Sequence, residues 1–217
     1  MPQKIPCRFV KWEEIEKWTE DVAQKIRESG FKPDILIAIA RSGFVPGRLL
    51  SDYLGHPNLV ALKVEHWLDT TAQHKEDATI PYKIRFPIRG KNVLVIDDLV
   101  DTGKSILRTK EFLAQEEPQE IRSAVMIYLK NSAVAPDYYS FATSDWTWFI
   151  FPWNVHEDLR NLTMKLVDNN GIKVSELPKY MKEYYSIDVD RALISKIVNE
   201  ISLLGKGRLV NDILYPP

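Results

Sequence analysis

Six consecutive apolar residues, Ile35-Leu36-Ile37-Ala38-Ile39-Ala40, run straight into the turn Arg41-Ser42-Gly43, and Pro46-Gly47 opens a helix behind it. A run without polar alternation suits a strand covered on both faces, the situation inside a parallel sheet flanked by helices. The same grammar recurs at Val93-Leu94-Val95-Ile96: a short buried strand, the acids Asp97-Asp98, a polar turn, then a helix expected over residues 104–115. Before the first run, Trp12, Ile15, Trp18, Val22 and Ile26 recur at helical spacing and stop at Ser29-Gly30. Further strands are expected at residues 59–64, 80–86 and 121–129. This alternation predicts an α/β fold with a mainly parallel sheet flanked by helices. Sheets of that kind take ligands at the carboxyl ends of their strands, where both polar turns fall.

Between residues 66 and 80 the pattern dissolves into polar residues. A loop of that length inside a compact domain points to function or disorder. After Trp153 the texture changes again. Three stripes, Leu159/Leu162/Leu166, Leu177/Tyr180/Met181/Tyr184 and Leu193/Ile194/Ile197/Val198/Ile201/Leu204, predict three helices. The expected organisation is a domain over residues 1–154 and a small helical bundle over 155–217.

Composition removes several classes. With 45% apolar residues among 217, the chain can build a core, which argues against a disordered polymer. A net charge of −1 leaves no global footprint for nucleic acid or anionic membrane. The sole cysteine, Cys7, cannot close an internal disulfide. The first ten residues hold no apolar leader core, and the apolar runs are too short to cross a bilayer. The expectation is a cytoplasmic protein with neither nucleic acid nor membrane as partner.

The chemistry concentrates in Asp97-Asp98-Leu99-Val100-Asp101-Thr102-Gly103-Lys104-Ser105. The turn and the first helical turn present unpaired backbone N–H groups, joined by the hydroxyls of Thr102 and Ser105, at the positive end of a helix dipole. Two carboxylates sit badly beside a bare phosphate but fit a ligand that adds hydroxyls or a metal ion. Gly103-Lys104-Ser105 spells the end of a P-loop, yet that motif needs glycine where Asp98 stands. Asp-Thr-Gly is also an aspartic-protease signature, but those enzymes are all-β and the residues after Ser105 read as helix.

Residues 97–105 resemble the phosphoribosyl pyrophosphate signature of type I phosphoribosyltransferases. The stretch from Ile37 to Gly47 is similar to that family's pyrophosphate loop, most closely in bacterial xanthine-guanine enzymes. Residues 147–153, Thr-Trp-Phe-Ile-Phe-Pro-Trp, resemble the base-binding end of the same enzymes. Together these matches span residues 33–153, and the tail has no counterpart in the bacterial enzymes. The resemblance implies purine salvage: a purine base displaces pyrophosphate from phosphoribosyl pyrophosphate to give a nucleoside monophosphate.

Roles follow from that resemblance. Asp97 and Asp98 would hold the ribose hydroxyls and, directly or through water, Mg²⁺. Asp101 would exchange a proton with N7 of the base. With Asp101, the residues Thr102, Gly103, Lys104 and Ser105 would surround the 5-phosphate. Arg41, Ser42 and Gly43 would bind pyrophosphate, with a cis peptide expected between Arg41 and Ser42. Residues 66–80 would form a mobile lid from which Lys75 could reach the pyrophosphate. Lys130, Trp148 and Ile150 would meet the base: Lys130 at O6, Trp148 by stacking, and Ile150 where the bacterial enzymes carry an acid for the C2 substituent. Isoleucine cannot pair that substituent. That departure, with the resemblance of body plus tail to some archaeal adenine phosphoribosyltransferases, inclines the expectation to adenine, giving AMP, ahead of hypoxanthine and guanine. The tail is expected to cover the aromatic patch Trp146, Trp148, Phe149, Phe151, Trp153, and a homodimer is expected. The rival reading is a regulator that senses phosphoribosyl pyrophosphate and binds DNA through the tail. The evenly matched charges of the tail speak against it.

Overall fold

The long apolar run of the sequence is an inner strand of a parallel sheet. The computed structural model describes residues 4–68, 74–82, 85 and 87–217. In chain order its elements are β1 (Cys7–Phe9), α1 (Trp12–Glu28), β2 (Ile35–Ala40), α2 (Phe44–Tyr53), β3 (Leu59–Lys63), β4 (Glu65–Leu68), β5 (His74–Thr79), β6 (Asn92–Ile96), β7 (Leu99–Val100), α3 (Lys104–Ala114), β8 (Glu120–Leu129) and β9 (Tyr138–Thr143). After these come β10 (Trp148–Ile150), α4 (Val155–Leu166), β11 (Ile172–Lys173), α5 (Leu177–Tyr185), α6 (Arg191–Leu203), β12 (Arg208–Val210) and β13 (Ile213–Tyr215). Contacts divide the chain into two units, Glu13–Asp145 and Met1–Trp12 with Trp146–Pro217. The boundary expected at 154/155 therefore lies inside the smaller unit, which also claims the amino-terminal strand.

In the larger unit the strands run β3-β2-β6-β8, every pairing parallel, with β7 continuing the β6 edge of β8 and β9 on its far edge. Successive side chains of a strand point to opposite faces, and each face here has its own core. Leu36, Leu94 and Ile96 pack with Val22, Ala23 and Ile26 of α1 and Leu50 of α2. Ile37, Ile39, Val93 and Val95 pack with Ile106 and Leu113 of α3. Helices on both faces explain the unbroken apolar run of β2. In α1 the buried stripe Ile15, Thr19, Val22, Ala23, Ile26 is flanked by Glu13 and Glu14 in the first turn and Lys25 and Arg27 in the last, in keeping with the helix dipole.

Where residues 66–80 were expected to form a loop, β4 and β5 pair antiparallel, Glu65 opposite Thr79 and His66 opposite Ala78. A mostly polar sequence leaves such a hairpin without the apolar alternation that marks a strand. Residues 69–73 and the side chain of Lys75 lie outside the described part. The strand expected over residues 80–86 is displaced: β5 ends at Thr79, and residues 80–82 and 85 are not in a strand.

The smaller unit carries the three expected helices, α4 to α6, around a core of Leu159, Leu162, Leu177, Met181, Ile194, Ile197 and Ile201. It also holds a three-stranded antiparallel sheet in the order β11-β13-β12, absent from the all-helical expectation. Strands of two or three residues carry too little periodicity to be read. The signal that was available is Asn211-Asp212, both at positive φ (47° and 61°), which form the two-residue turn of the β12–β13 hairpin. Strand β1 pairs parallel with β10, Cys7 opposite Trp148. No described helix is long and apolar enough to cross a membrane.

Candidate active site

Helices α2 and α3 both begin at the carboxyl edge of the parallel sheet with bare amino ends. Neither has an acidic residue in its first turn nor a side-chain cap. That arrangement leaves dipole and N–H groups available to an anion. The α2 turn is set by Gly43. A Cβ built there would stand 2.5 Å from the Ile96 carbonyl oxygen, 2.7 Å from that of Ile39 and 2.9 Å from the Ile39 nitrogen. Only a residue without a side chain lets this turn lie across the ends of β2 and β6, and so brings it against the residue before Asp97. Gly43 donates to the Ile39 carbonyl (2.8 Å) and its own carbonyl accepts from Gly47 (2.9 Å), which locks the turn. Arg41 is exposed and Ser42 half-buried. The cis peptide expected between Arg41 and Ser42 falls one bond earlier, at Ala40–Arg41, where Ala40 is still paired with Lys63 of β3.

Asp97 and Asp98 interrupt the strand between β6 and β7 without leaving it. The Asp97 N–H donates to the Ala124 carbonyl (3.1 Å), and the Asp98 carbonyl accepts from Met126 (3.0 Å) and Ile127 (3.3 Å) of β8. Their carboxylates accept from the following amides, Asp98 N–H to Asp97 (3.0 Å) and Leu99 N–H to Asp98 (2.7 Å). Both residues are buried at 7% exposure. Burial, reinforced by the charge of Asp98, pushes the Asp97 carboxyl well above the usual carboxylate range. Such a group is held ready for a partner that hydrogen-bonds it or neutralises it.

The turn into α3 is made by Gly103 in the left-handed region, φ 82°. A Cβ there would meet Ser132 Oγ at 2.7 Å and Val134 Cβ at 2.8 Å. The loop that follows Lys130 therefore packs directly on the turn into α3, with Ala133 donating to the Thr102 carbonyl (3.4 Å). The first helical bond of α3 runs from Leu107 N–H to the Gly103 carbonyl (2.9 Å). Thr102 Oγ1 accepts from the Lys104 amide (3.4 Å). Asp101 is exposed in the turn, and Lys130 is exposed at the end of β8 with its amide tied to the Thr143 carbonyl (2.9 Å). Arg41 to Gly43, Asp97, Asp98, Asp101 to Ser105 and Lys130 thus share the carboxyl edge of one sheet.

Trp148 and Ile150 lie on β10 of the smaller unit. Ile150 is fully buried and packs with Leu159, Leu162 and Leu177, so its side chain belongs to that unit's core. Phe149 and Phe151 are likewise buried, whereas Trp146 and Trp148 remain 46% and 42% exposed, so the expected aromatic patch is divided. One group had gone unnoticed in the sequence: Asp158, in the first turn of α4, is 6% exposed. Burial pushes its carboxyl up to about 6, against a hydrogen bond from Trp148 that lowers it. An acid in the first turn of a helix reads as an ordinary dipole partner, so nothing local marked it.

The model of the phosphoribosyl transferase domain family matches residues 8–159. The chain belongs to the phosphoribosyltransferase family. The xanthine-guanine phosphoribosyltransferase of Idiomarina loihiensis is 31% identical over 151 residues, covering 68% of this chain and 87% of the relative. The hypoxanthine-guanine phosphoribosyltransferase of Saccharomyces cerevisiae is 19% identical over 212 residues, covering 78% and 95%. The crystal structure of a purine phosphoribosyltransferase from Pyrococcus horikoshii aligns with a TM-score of 0.60 at 30% identity, over 69% of this chain and 94% of that one. The phosphoribosyltransferase fold and enzyme class expected from the two turns therefore stand. The adenine expectation gains no support from these names, and the DNA-binding regulator is not favoured.

Proposed function

We propose that this phosphoribosyltransferase joins a 6-oxopurine to the ribose 5-phosphate of phosphoribosyl pyrophosphate, releasing pyrophosphate. The observation that carries the reading is the convergence of two uncapped helix starts with the buried acids Asp97 and Asp98 at one sheet edge. The α3 turn, Asp101 to Ser105, receives the 5-phosphate through amides and hydroxyls. The carboxylates of Asp97 and Asp98 accept from the ribose hydroxyls. Arg41 and the Ser42 amide hold the pyrophosphate and stabilise its charge as it departs, while the Gly43 amide, taken by the Ile39 carbonyl, shapes the turn and does not bind. Asp101 takes or returns the proton at N7, help usually worth about 10²–10⁴-fold.

Mg²⁺ fits the donor chemistry, since Asp97 and Asp98 offer hard carboxylate oxygens whose burial disfavours uncompensated charge. Among the described residues no group of three or more ligating side chains gathers, so substrate oxygens would complete its shell. Bound there, directly or through water, it would supply neutralising charge to the pyrophosphate. A homodimer, implied by the family resemblance, belongs to this reading and would sediment at twice the 25.1 kDa chain mass.

The choice of base follows from Lys130, Trp148 and the names of the relatives. An ammonium donates and cannot accept, so Lys130 matches the O6 of hypoxanthine, guanine or xanthine rather than the 6-amino group of adenine. Trp148 keeps an exposed indole for stacking. The Ile150 side chain is buried in the core of the smaller unit, against the expectation that it meets the base, and gives no ground for choosing among the 6-oxopurines. Hypoxanthine, guanine and xanthine are accordingly expected ahead of adenine. Measuring kcat/KM for all four bases under one condition tests this order. Preference for adenine would overturn the role of Lys130.

A further inference from the structure

The steps above make no use of Asp158, a buried carboxylate in the first turn of α4. It accepts a hydrogen bond from the side chain of Trp148, whose one donor is the indole N–H. Cys7, opposite Trp148 in the β1–β10 ladder, lies near enough that the charge of Asp158 adds to burial in pushing its thiol up to about 12. Trp146 meets Trp148 edge-on at 6.5 Å and 61°. The Trp148 backbone is fixed by its N–H to the Pro6 carbonyl (2.8 Å). The indole is therefore held along its N–H edge and against a neighbouring ring, while 42% of the residue stays exposed.

Burying a carboxylate in an apolar unit costs stability unless it is well partnered. The partner here is a ring that is otherwise free to turn about two side-chain torsions. We propose that Asp158 is a positioning residue for the base: its carboxylate fixes the Trp148 rotamer so that the indole presents a face for stacking. This rests on reading Trp148 as the stacking partner of the purine. A ring that visits the stacking rotamer only part of the time weakens apparent affinity by that fraction, without touching the chemical step. The bond also ties β10 to the first helix of the carboxyl-terminal segment, which gives that segment a part in base recognition.

The test compares steady-state constants of the full-length enzyme for base and for phosphoribosyl pyrophosphate. Asp158→Leu, which fills the space but cannot accept, should raise KM for the base about tenfold, roughly 1.4 kcal/mol. Both kcat and KM for phosphoribosyl pyrophosphate should stay within about twofold, a split that general loosening would not produce. Asp158→Asn keeps an acceptor and should restore most of the base affinity. Trp148→Phe removes the donor but keeps a ring, and should raise the base KM comparably even if Asp158→Leu fails to fold. Adding Asp158→Leu to Trp148→Phe should change nothing further, the non-additivity of a shared contact. Trp148→Ala separates the two ideas. If it raises the base KM while Trp148→Phe and both Asp158 variants do not, the positioning role is wrong and stacking survives. If it leaves the base KM unchanged, stacking itself fails and takes the positioning role with it.

Discussion

Replacing Gly43 by alanine would put a methyl group 2.5 Å from the Ile96 carbonyl oxygen and under 3 Å from two backbone atoms of Ile39. The backbone angles at Gly43, φ −68° and ψ −8°, suit alanine, so the obstacle is contact and not conformation. Those three atoms belong to paired strands and cannot turn aside as a side chain would. Restoring an ordinary carbon–oxygen separation of about 3.3 Å requires the turn to lift by about 0.8 Å. Overpacking of this kind costs about 1–3 kcal/mol. For a chain of this size each kcal/mol lowers Tm by about 2–4 °C, so a fall of about 2–12 °C is expected. A displacement near 1 Å in a group that positions substrate can cost about 10²-fold, and that loss should appear in kcat/KM for phosphoribosyl pyrophosphate. Gly47→Ala is the control. Its Cβ would meet Ala38 Cβ at 3.0 Å and Leu59 Cδ1 at 3.5 Å, a milder approach that a shift of a few tenths of an ångström relieves. Thermal denaturation and initial rates of the two variants decide the matter. A Gly43→Ala enzyme with unchanged Tm and unchanged kcat/KM would refute the claim that this close approach sets the turn proposed to hold pyrophosphate.

Three further outcomes are expected. Asp101→Asn should lose about 10²–10⁴-fold in kcat while binding phosphoribosyl pyrophosphate as before, and unaltered turnover would remove Asp101 from proton transfer. Gly103→Ala forces a side chain into φ 82° and against Ser132 and Val134, so it should destabilise by about 1–2 kcal/mol from the backbone alone and weaken 5-phosphate binding, read by calorimetry with a nucleoside monophosphate. The Asp158 carboxyl sits at about 6 folded against 3.8 as the ordinary value, so its burial favours the protonated form. The stability it contributes is present below about pH 4 and lost as pH rises through 6. At about 1.4 kcal/mol per pKa unit, Asp158→Asn should stabilise the protein at pH 8 by about 2–3 kcal/mol, with the gain vanishing near pH 4 in denaturant titrations. An equal gain at both pH values would mean that charge burial is not its origin.

What the chain decides locally was legible in the sequence. The unbroken apolar runs at Ile35–Ala40 and Val93–Ile96, each ending in a polar turn and a helix, determine two buried parallel strands with anion-ready helix starts, because period and turn chemistry act over a few residues. The same is true of the three tail helices, whose stripes repeat at helical spacing. The tertiary structure alone decided what depends on residues far apart in the chain. Pairing of β2 with β6 lays Gly43 against Ile96 and joins two turns that the sequence separates by more than fifty positions. Pairing of β1 with β10 draws the amino terminus into the carboxyl-terminal unit, Ile150 turns into that unit's core, and Asp158 takes hold of Trp148. Each of these is a contact between surfaces whose local patterns are complete without the other, so only packing could assign the partner.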